Sequence, residues 1–292
     1  MNAFLFPGQG SQEVGMGKDL YEELPEAREL LDKANEILGY DLKDLMFNGP
    51  IEKLTDTQFA QPAIYTCSAM HLEKAKQEGV EYDYVAGHSL GEYSALYAAG
   101  VVSFEDGLRL VAKRGKAMAA QNGKGTMAAV LGLTEDELDG YISGINDVVM
   151  ANLNSKTQIV ISGSLKGIEQ AEKCLEEKVN SGEIKFRRLS VSAAFHSPQM
   201  SDAAAVMKEE IDKIIMNEPK CYLVSNVTGR PTKDLNEIKA NLISQIVGQV
   251  RWYDSINALV AEEIEQFYEI GHGNVLRKMN KTITLRPKCV SI

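Results

Sequence analysis

The sequence contains few cysteines, and their spacing excludes two common uses of this residue. The four cysteines, Cys67, Cys174, Cys221 and Cys289, are scattered over 292 residues, with no C-x-x-C pair among them. This pattern argues against both a disulfide framework and a zinc site. We therefore expect reduced thiols in a cytoplasmic protein, and no metal.

Long apolar runs and an excess of basic residues are also missing. No apolar stretch reaches the ~18 residues that a membrane helix requires. The opening MNAFLFPGQG lacks the basic region and longer apolar stretch of a secretion signal. A formal net charge of −10 argues against nucleic-acid binding, which needs a basic surface. We expect a monomer with neither a membrane nor a nucleic-acid partner.

Strand-like and helix-like segments alternate along the chain, which predicts an α/β fold. Residues 124–190 read as β-α-β-β-α-β, the order of a ferredoxin-like unit, with its second helix ending at Gly182. The helical pattern resumes afterwards with SDAAAVMKEEIDKII. We therefore predict a larger subdomain formed by residues 1–123 and 191–292, with a smaller ferredoxin-like subdomain, 124–190, inserted into it.

Residues 87–91, GHSLG, form a G-x-S-x-G pattern around Ser89. The pattern follows a short apolar strand, DYVAG, and precedes a helix, EYSALYAAG. A sharp turn between a strand and a helix is the setting of a nucleophile elbow, which exposes the serine hydroxyl. Ser89 is therefore the candidate nucleophile.

A serine nucleophile needs a base within hydrogen-bond reach, and this chain has only four histidines. His71 lies in the middle of a helix and is most simply structural. His88 precedes Ser89 in the extended turn, where adjacent side chains point to different sides. His196 and His272 remain, and either could be brought to Ser89 by folding.

Arg114 lies on the wrong side of an amphipathic helix for a charged residue. The helix begins after Ser103 and, at 100° per residue, Arg114 falls between Met118 and Leu110 on its apolar side. A buried guanidinium is costly unless an anion pairs with it. That anion is either an internal carboxylate or the carboxylate of a substrate, which arginine binds with two parallel hydrogen bonds.

The first loop, FPGQGSQ, follows the first strand. It lacks the third glycine of a dinucleotide-binding motif, because Glu13 occupies that position. The loop could instead bring backbone amides towards an oxyanion. Gln9 and Leu90 would then supply the two donors.

Together these segments resemble the malonyl-CoA:acyl carrier protein transacylases of bacterial type II fatty acid synthesis. The matching stretches, in the family's order, are FPGQGSQ with GMG, TQFAQPAIY, AGHSLGEYSAL, VAKRGKAM, ANLNS with QIVISG, FHSPQM, VSNVTG and VRW. They span nearly the whole chain. The resemblance implies an α/β-hydrolase-like larger subdomain with a ferredoxin-like insertion.

The resemblance also assigns roles to individual residues. It implies that Ser89 is acylated, that His196 is its base and that Arg114 binds the malonyl carboxylate. The remaining residues it indicates are the oxyanion donors Gln9 and Leu90, Gln245 near the Ser–His pair, and the pocket residues Phe195 and Met118. Phe195 corresponds to a bulky residue that crowds out a methyl branch and so favours malonyl over methylmalonyl.

The chain departs from the family pattern at two places. Gly271-His272-Gly273 stands where the family usually has G-P-G, and we interpret His272 there as incidental. Gly248-Gln249 stands where the family usually has a residue followed by proline, close to Gln245.

The reaction implied is a ping-pong transfer from malonyl-CoA to acyl carrier protein without a cofactor. Acyl carrier protein is acidic, so we expect a basic docking surface. The candidates are Lys185, Arg187, Arg188, Arg277, Lys278 and Lys281.

Three other functions remain open at this stage. One is a discrete acyltransferase of a polyketide synthase. Another is a serine esterase or thioesterase that uses Ser89, Asp254 or Glu269, and His272, in the chain order of such hydrolases. The third is a catalytically silent docking protein for carrier domains.

Overall fold

The computed structural model describes all 292 residues and contains two β-sheets flanked by helices. The strands are β1 Asn2–Phe6, β2 Tyr84–Gly87, β3 Thr126–Leu131, β4 Val148–Ser155, β5 Gln158–Gly163, β6 Lys185–Arg188, β7 Tyr222–Val224, β8 Pro231–Thr232, β9 Gln266–Glu269 and β10 Lys288–Ser291.

The helices are α1 Lys18–Glu23, α2 Pro25–Leu38, α3 Leu42–Asn48, α4 Ile51–Thr55, α5 Thr57–Gln77, α6 Gly91–Ala98, α7 Phe104–Ala119, α8 Glu135–Ile142, α9 Leu165–Cys174, α10 Glu176–Asn180, α11 Ser201–Lys213, α12 Leu235–Ser244, α13 Trp252–Ala261 and α14 Val275–Asn280. A single 3-10 turn, Pro198–Met200, precedes α11. No helix is both long enough and apolar enough to span a membrane.

The larger sheet has the strand order β10-β9-β1-β2-β7-β8, in which only β8 is antiparallel to its neighbour. Its central strand β1 is buried on both faces, as parallel sheets require. Phe4 and Phe6 join the largest apolar cluster, whereas Ala3 and Leu5 join a second cluster on the opposite face. Because alternate side chains of a strand point to opposite faces, β1 contributes to both apolar clusters.

The smaller sheet has the order β4-β5-β3-β6 and is antiparallel throughout. Its elements follow one another as β-α-β-β-α-β, which confirms the predicted α/β class with a ferredoxin-like unit. One face packs on α8 and α9 through a separate apolar cluster, while Met127 and Val160 on the other face join the main core. The boundaries 124–190 remain a proposal.

The helix predicted to end at Gly182 is in fact two helices, α9 and α10. Leu175 between them has φ −98° and ψ −1°, and its side chain is completely buried against the smaller sheet. Burial of this apolar side chain favours the break that separates the two helices.

Main-chain hydrogen bonds join the smaller sheet to the segment before α13. Leu153 N donates to Val250 O, and Val250 N donates to Ala151 O, each at 2.8 Å. The smaller sheet is thereby tied to the segment that leads into α13.

Candidate active site

Ser89 lies at the turn between β2 and α6. Its φ is +53°, a conformation that few residues other than glycine adopt. The turn is tight because a Cβ at Gly87 would lie 1.9 Å from the Gly91 carbonyl carbon, and one at Gly91 would lie 2.1 Å from Phe6 O. Only glycine fits at both positions, so the two glycines allow the backbone that holds Ser89.

A hydrogen-bonded pair joins Ser89 to His196. Ser89 Oγ lies 2.7 Å from His196 Nε2, and His196 Nδ1 lies 2.8 Å from the carbonyl oxygen of Gln245. A carbonyl only accepts, so Nδ1 carries the proton and Nε2 is free to accept one. The ring is therefore oriented by the main chain, without a carboxylate.

His196 lies in an environment that keeps its ring neutral. Burial and, after it, the positive charge of Arg114 lower the pKa of His196 to about 3, while the hydrogen bond to the Gln245 carbonyl acts in the opposite direction. At neutral pH the imidazole is uncharged and has the lone pair that a general base needs.

Arg114 on α7 reaches the nucleophile from the buried side and is only 1% exposed. Its Nη1 donates to Gln61 Oε1 at 2.9 Å, and its Nη2 donates to Gln245 Oε1 at 2.9 Å and to Ser89 Oγ at 3.2 Å. Its Nε has no partner, and no carboxylate lies within 4.0 Å. All hydrogen-bond partners of Arg114 are thus neutral. The structure therefore does not contain the direct internal ion pair that the sequence left open as one possibility.

The two residues whose backbone amides are the predicted oxyanion donors line the same cavity as Ser89. Gln9 and Leu90 both line the pocket, and neither amide donates a hydrogen bond within the protein. The loop that carries Gln9 approaches closely, because a Cβ at Gly8 would lie 2.3 Å from His88 O. This arrangement leaves two free donors near the nucleophile, as an oxyanion hole requires.

These groups line one cavity of about 220 Å³ between the two sheets. Of the residues predicted from sequence, the cavity is lined by Gln9, Ser89, Leu90, Arg114, Met118, Phe195 and His196. Gln245 is fully buried behind them. The rest of the wall includes the apolar residues Met127 and Val160 of the smaller sheet and Leu276 of α14, and the polar residues Asn152 and Asn154 of β4.

Three polar residues that were not predicted from the sequence support the site. Gln61 on α5 holds Arg114, and Glu92 on α6 accepts from Gln245 Nε2 at 2.7 Å. Asn226 clamps the elbow, because its Oδ1 accepts from Ser89 N at 2.7 Å and its Nδ2 donates to Gly87 O at 2.6 Å. None of the three lies in a sequence pattern that marks it as part of the site, because each is explained only by partners that folding brings to it.

The predicted basic residues are all exposed, and each group is close in sequence to residues that line the cavity. Leu189 and Val191, just after β6, line the cavity, as do Val275 and Met279 on α14. Within the first group, Arg188 is paired with Glu172 at 2.6 Å.

The residues of the hydrolase alternative do not assemble around Ser89. His272 Nε2 lies 3.3 Å from Glu13 Oε2, and Glu269 accepts from the amides of Leu276 and Arg277. Asp254 pairs with Arg251 at 2.7 Å. The structure also contains no cluster of three or more acidic, histidine or cysteine side chains that could hold a metal ion.

Comparison with known proteins identifies the class. A family model described as the acyl transferase domain matches residues 3–288. The chain therefore belongs to the acyl transferase family.

Individual relatives narrow the family. The malonyl CoA-acyl carrier protein transacylase of Bacillus subtilis is 44% identical over 296 residues, which cover 99% of this chain and 92% of that protein. The polyketide biosynthesis malonyl CoA-acyl carrier protein transacylase PksC of the same organism is 42% identical over 279 residues, 94% of each. The acyl-carrier-protein-S-malonyltransferase structure from Bartonella henselae has a TM-score of 0.94 and 38% identity, covering 100% of this chain and 95% of that one. These matches confirm the malonyl-CoA:acyl carrier protein transacylase family indicated by the sequence.

The lowered pKa of His196 predicts a specific pH dependence of stability. Below its ordinary pKa of 6.5, the unfolded chain binds a proton on His196, but the folded chain does not until about pH 3. The folded state therefore loses stability as the pH falls. Relative to His196→Gln, the wild type should lose about 3 kcal/mol of unfolding free energy between pH 7 and 4.5. Urea unfolding of both proteins at both pH values measures this difference, and identical losses would contradict the buried neutral ring.

Proposed function

We propose that the protein transfers a malonyl group from malonyl-CoA to the phosphopantetheine thiol of acyl carrier protein through a malonyl-Ser89 intermediate. The observation that carries this proposal is the buried Arg114, which touches the nucleophile and has no carboxylate in contact. A donor with a free carboxylate supplies the anion that this cation lacks. The names of the relatives support the same donor and acceptor.

In the first half-reaction, Ser89 Oγ attacks the thioester carbonyl and its proton moves to His196 Nε2. The carbonyl oxygen becomes an oxyanion that accepts hydrogen bonds from the amides of Gln9 and Leu90. When the tetrahedral intermediate collapses, the carbon–sulfur bond breaks and His196 returns the proton to the leaving thiolate of coenzyme A. Each amide donor contributes about 3 kcal/mol to stabilising this transition state.

In the second half-reaction, the phosphopantetheine thiol of acyl carrier protein attacks malonyl-Ser89. His196 accepts the thiol proton, the same two amides stabilise the oxyanion, and the proton returns to Ser89 Oγ as the ester bond breaks. The protons and bonds balance over the cycle without a cofactor.

The cavity also supports a choice among acyl groups. An acetyl donor leaves the Arg114 guanidinium without an anion in direct contact, so the site discriminates against it. Phe195 and Met118 occupy the wall of the cavity and are 8% and 2% exposed. We infer that they leave little room for the methyl branch of methylmalonyl-CoA.

We favour fatty acid synthesis as the pathway. The Bacillus subtilis transacylase whose name mentions no polyketide pathway is 44% identical over 92% of its length. A discrete polyketide acyltransferase is the second candidate, since PksC is 42% identical over 94% of its length. The two duties share the same chemistry on Ser89. Acceptor preference, measured with carrier proteins of both pathways, separates them.

Intact mass spectrometry tests the nucleophile and the donor together. After brief exposure to malonyl-CoA, the protein should gain one malonyl group, and Ser89→Ala should gain none. Exposure to acetyl-CoA should give at least tenfold less adduct, because Arg114 then stays unpaired. As a matched pair, His196→Ala should stop adduct formation and His272→Ala should not. An adduct in Ser89→Ala, or loss of the adduct only in His272→Ala, would refute the proposal.

The docking surface has its own test. We propose that acyl carrier protein approaches the cavity mouth over the exposed basic residues of α14, Arg277 and Lys278. Reversing both charges to glutamate should raise KM for acyl carrier protein about tenfold at low salt, because opposite charges steer association. The same reversal at Arg109 and Lys113, exposed on α7, serves as the control. Equal effects of the two double variants on KM would contradict this placement.

A further inference from the structure

Glu92, the second residue of α6, carries a carboxylate buried directly behind the nucleophile. It is 1% exposed, its Oε2 accepts from Gln245 Nε2 at 2.7 Å, and its Oε1 accepts from Asn226 N at 3.3 Å. No cationic group lies within 4.0 Å of it, and none of the reaction steps above uses it. An anion buried without a cation in contact is costly. The position of Glu92 close to Arg114 explains why an anion is buried here in spite of that cost.

The Gln245 side chain connects this anion to Arg114. Its Nε2 donates both to Glu92 Oε2 and, at 2.8 Å, to the backbone oxygen of Ser89. Both of these partners are acceptors, so the amide can present only its oxygen to Arg114, whose Nη2 lies 2.9 Å away. The negative charge therefore lies at the donor end of the amide and the positive charge at its acceptor end.

The two buried charges also act on each other electrostatically. Burial lowers the pKa of the Arg114 guanidinium, and the neighbouring Tyr93 and Glu92 oppose that shift. Burial raises the pKa of Glu92 to about 7, against the hydrogen bonds from Gln245 and Asn226 and the positive charge of Arg114. The negative charge of Glu92 and the positive charge of Arg114 thus each lower the free-energy cost of burying the other.

We propose that Glu92 is a positioning residue and the internal counter-charge of Arg114, held one side chain away so that the guanidinium stays open to the substrate carboxylate. The inference rests on the proposed function. A carboxylate in direct contact would occupy the guanidinium nitrogens that the substrate needs. No carboxylate at all would leave the cation uncompensated, and the Gln245 spacer avoids both.

Glu92→Gln tests the charge, because it keeps the size of the side chain. Acylation of Ser89 is followed at pH 8.5, above the pKa of Glu92 of about 7, by rapid quench and mass spectrometry over a range of donor concentrations. The half-saturating concentration of malonyl-CoA should fall roughly fivefold, because the cation loses its internal partner. The limiting rate should fall about tenfold, because the charged acceptor that orients Gln245 is gone. The half-saturating concentration of acetyl-CoA should not change.

Glu73→Gln is the matched control, since it makes the same chemical change in a carboxylate on α5 that is 20% exposed and paired with Lys76. It should leave both donors unaffected. If Glu92→Gln leaves the malonyl-CoA half-saturation unchanged, or shifts both donors equally, Glu92 has only a structural role and the inference is wrong.

A stability measurement keeps the inference testable if Glu92→Gln folds poorly or if the wild type forms no malonyl-serine. The latter result would refute the proposed function alone. Unfolding midpoints are then compared for Glu92→Gln, Arg114→Met and the double variant. Paired charges require the double variant to lose clearly less stability than the two single variants lose together. Additive losses, or a double variant that fails to fold, would overturn the inference.

Discussion

A guanidinium buried beside the nucleophile, with no carboxylate in contact, is the constraint on which the rest of the site depends. Arg114 donates to Ser89 Oγ, and its charge contributes to lowering the pKa of the neighbouring base His196. Burying such a charge is expensive, so the surroundings must satisfy it without neutralising it directly. Gln61 and Gln245 supply neutral oxygens, and Glu92 supplies a negative charge that is separated from Arg114 by the side chain of Gln245.

The order of the strands in the larger sheet brings these groups together. The loops after β1, β2 and β7 leave the carboxyl ends of three neighbouring parallel strands and carry Gln9, Ser89 and Asn226. Ligands of open α/β sheets bind at this edge, because loops from adjacent strands meet there. His196 comes from the segment that returns from the smaller sheet, so the site lies where the two sheets meet. The smaller sheet contributes both apolar and polar residues to the cavity wall, such as Val160 and Asn154, but none of the reacting groups.

The parts of the site that depend on local sequence could be predicted. The G-x-S-x-G pattern between a strand and a helix predicted the elbow, and the helical period placed Arg114 on the apolar side of α7. The Ser103 cap of that helix is present, with Asp106 N donating to its hydroxyl at 3.0 Å. Such features are encoded within a few residues, so one segment suffices to identify them.

The parts that depend on long-range contacts could not be derived in the same way. Ser89 and His196 are 107 positions apart, and elimination alone left His196 and His272 open until the family resemblance favoured one. Gln61 and Glu92 gave no clear signal, because a buried polar side chain is explained only by partners that folding brings to it. The break at Leu175 likewise depends on packing against the smaller sheet.

The most direct test of the account is a crystal structure of the enzyme with malonate esterified to Ser89. We expect the free carboxylate to accept two parallel hydrogen bonds of about 2.7–2.9 Å from Arg114, one of them from the Nε that now lacks a partner. A malonyl carboxylate that points to solvent, with Arg114 still bonded only to Gln61 and Gln245, would contradict it.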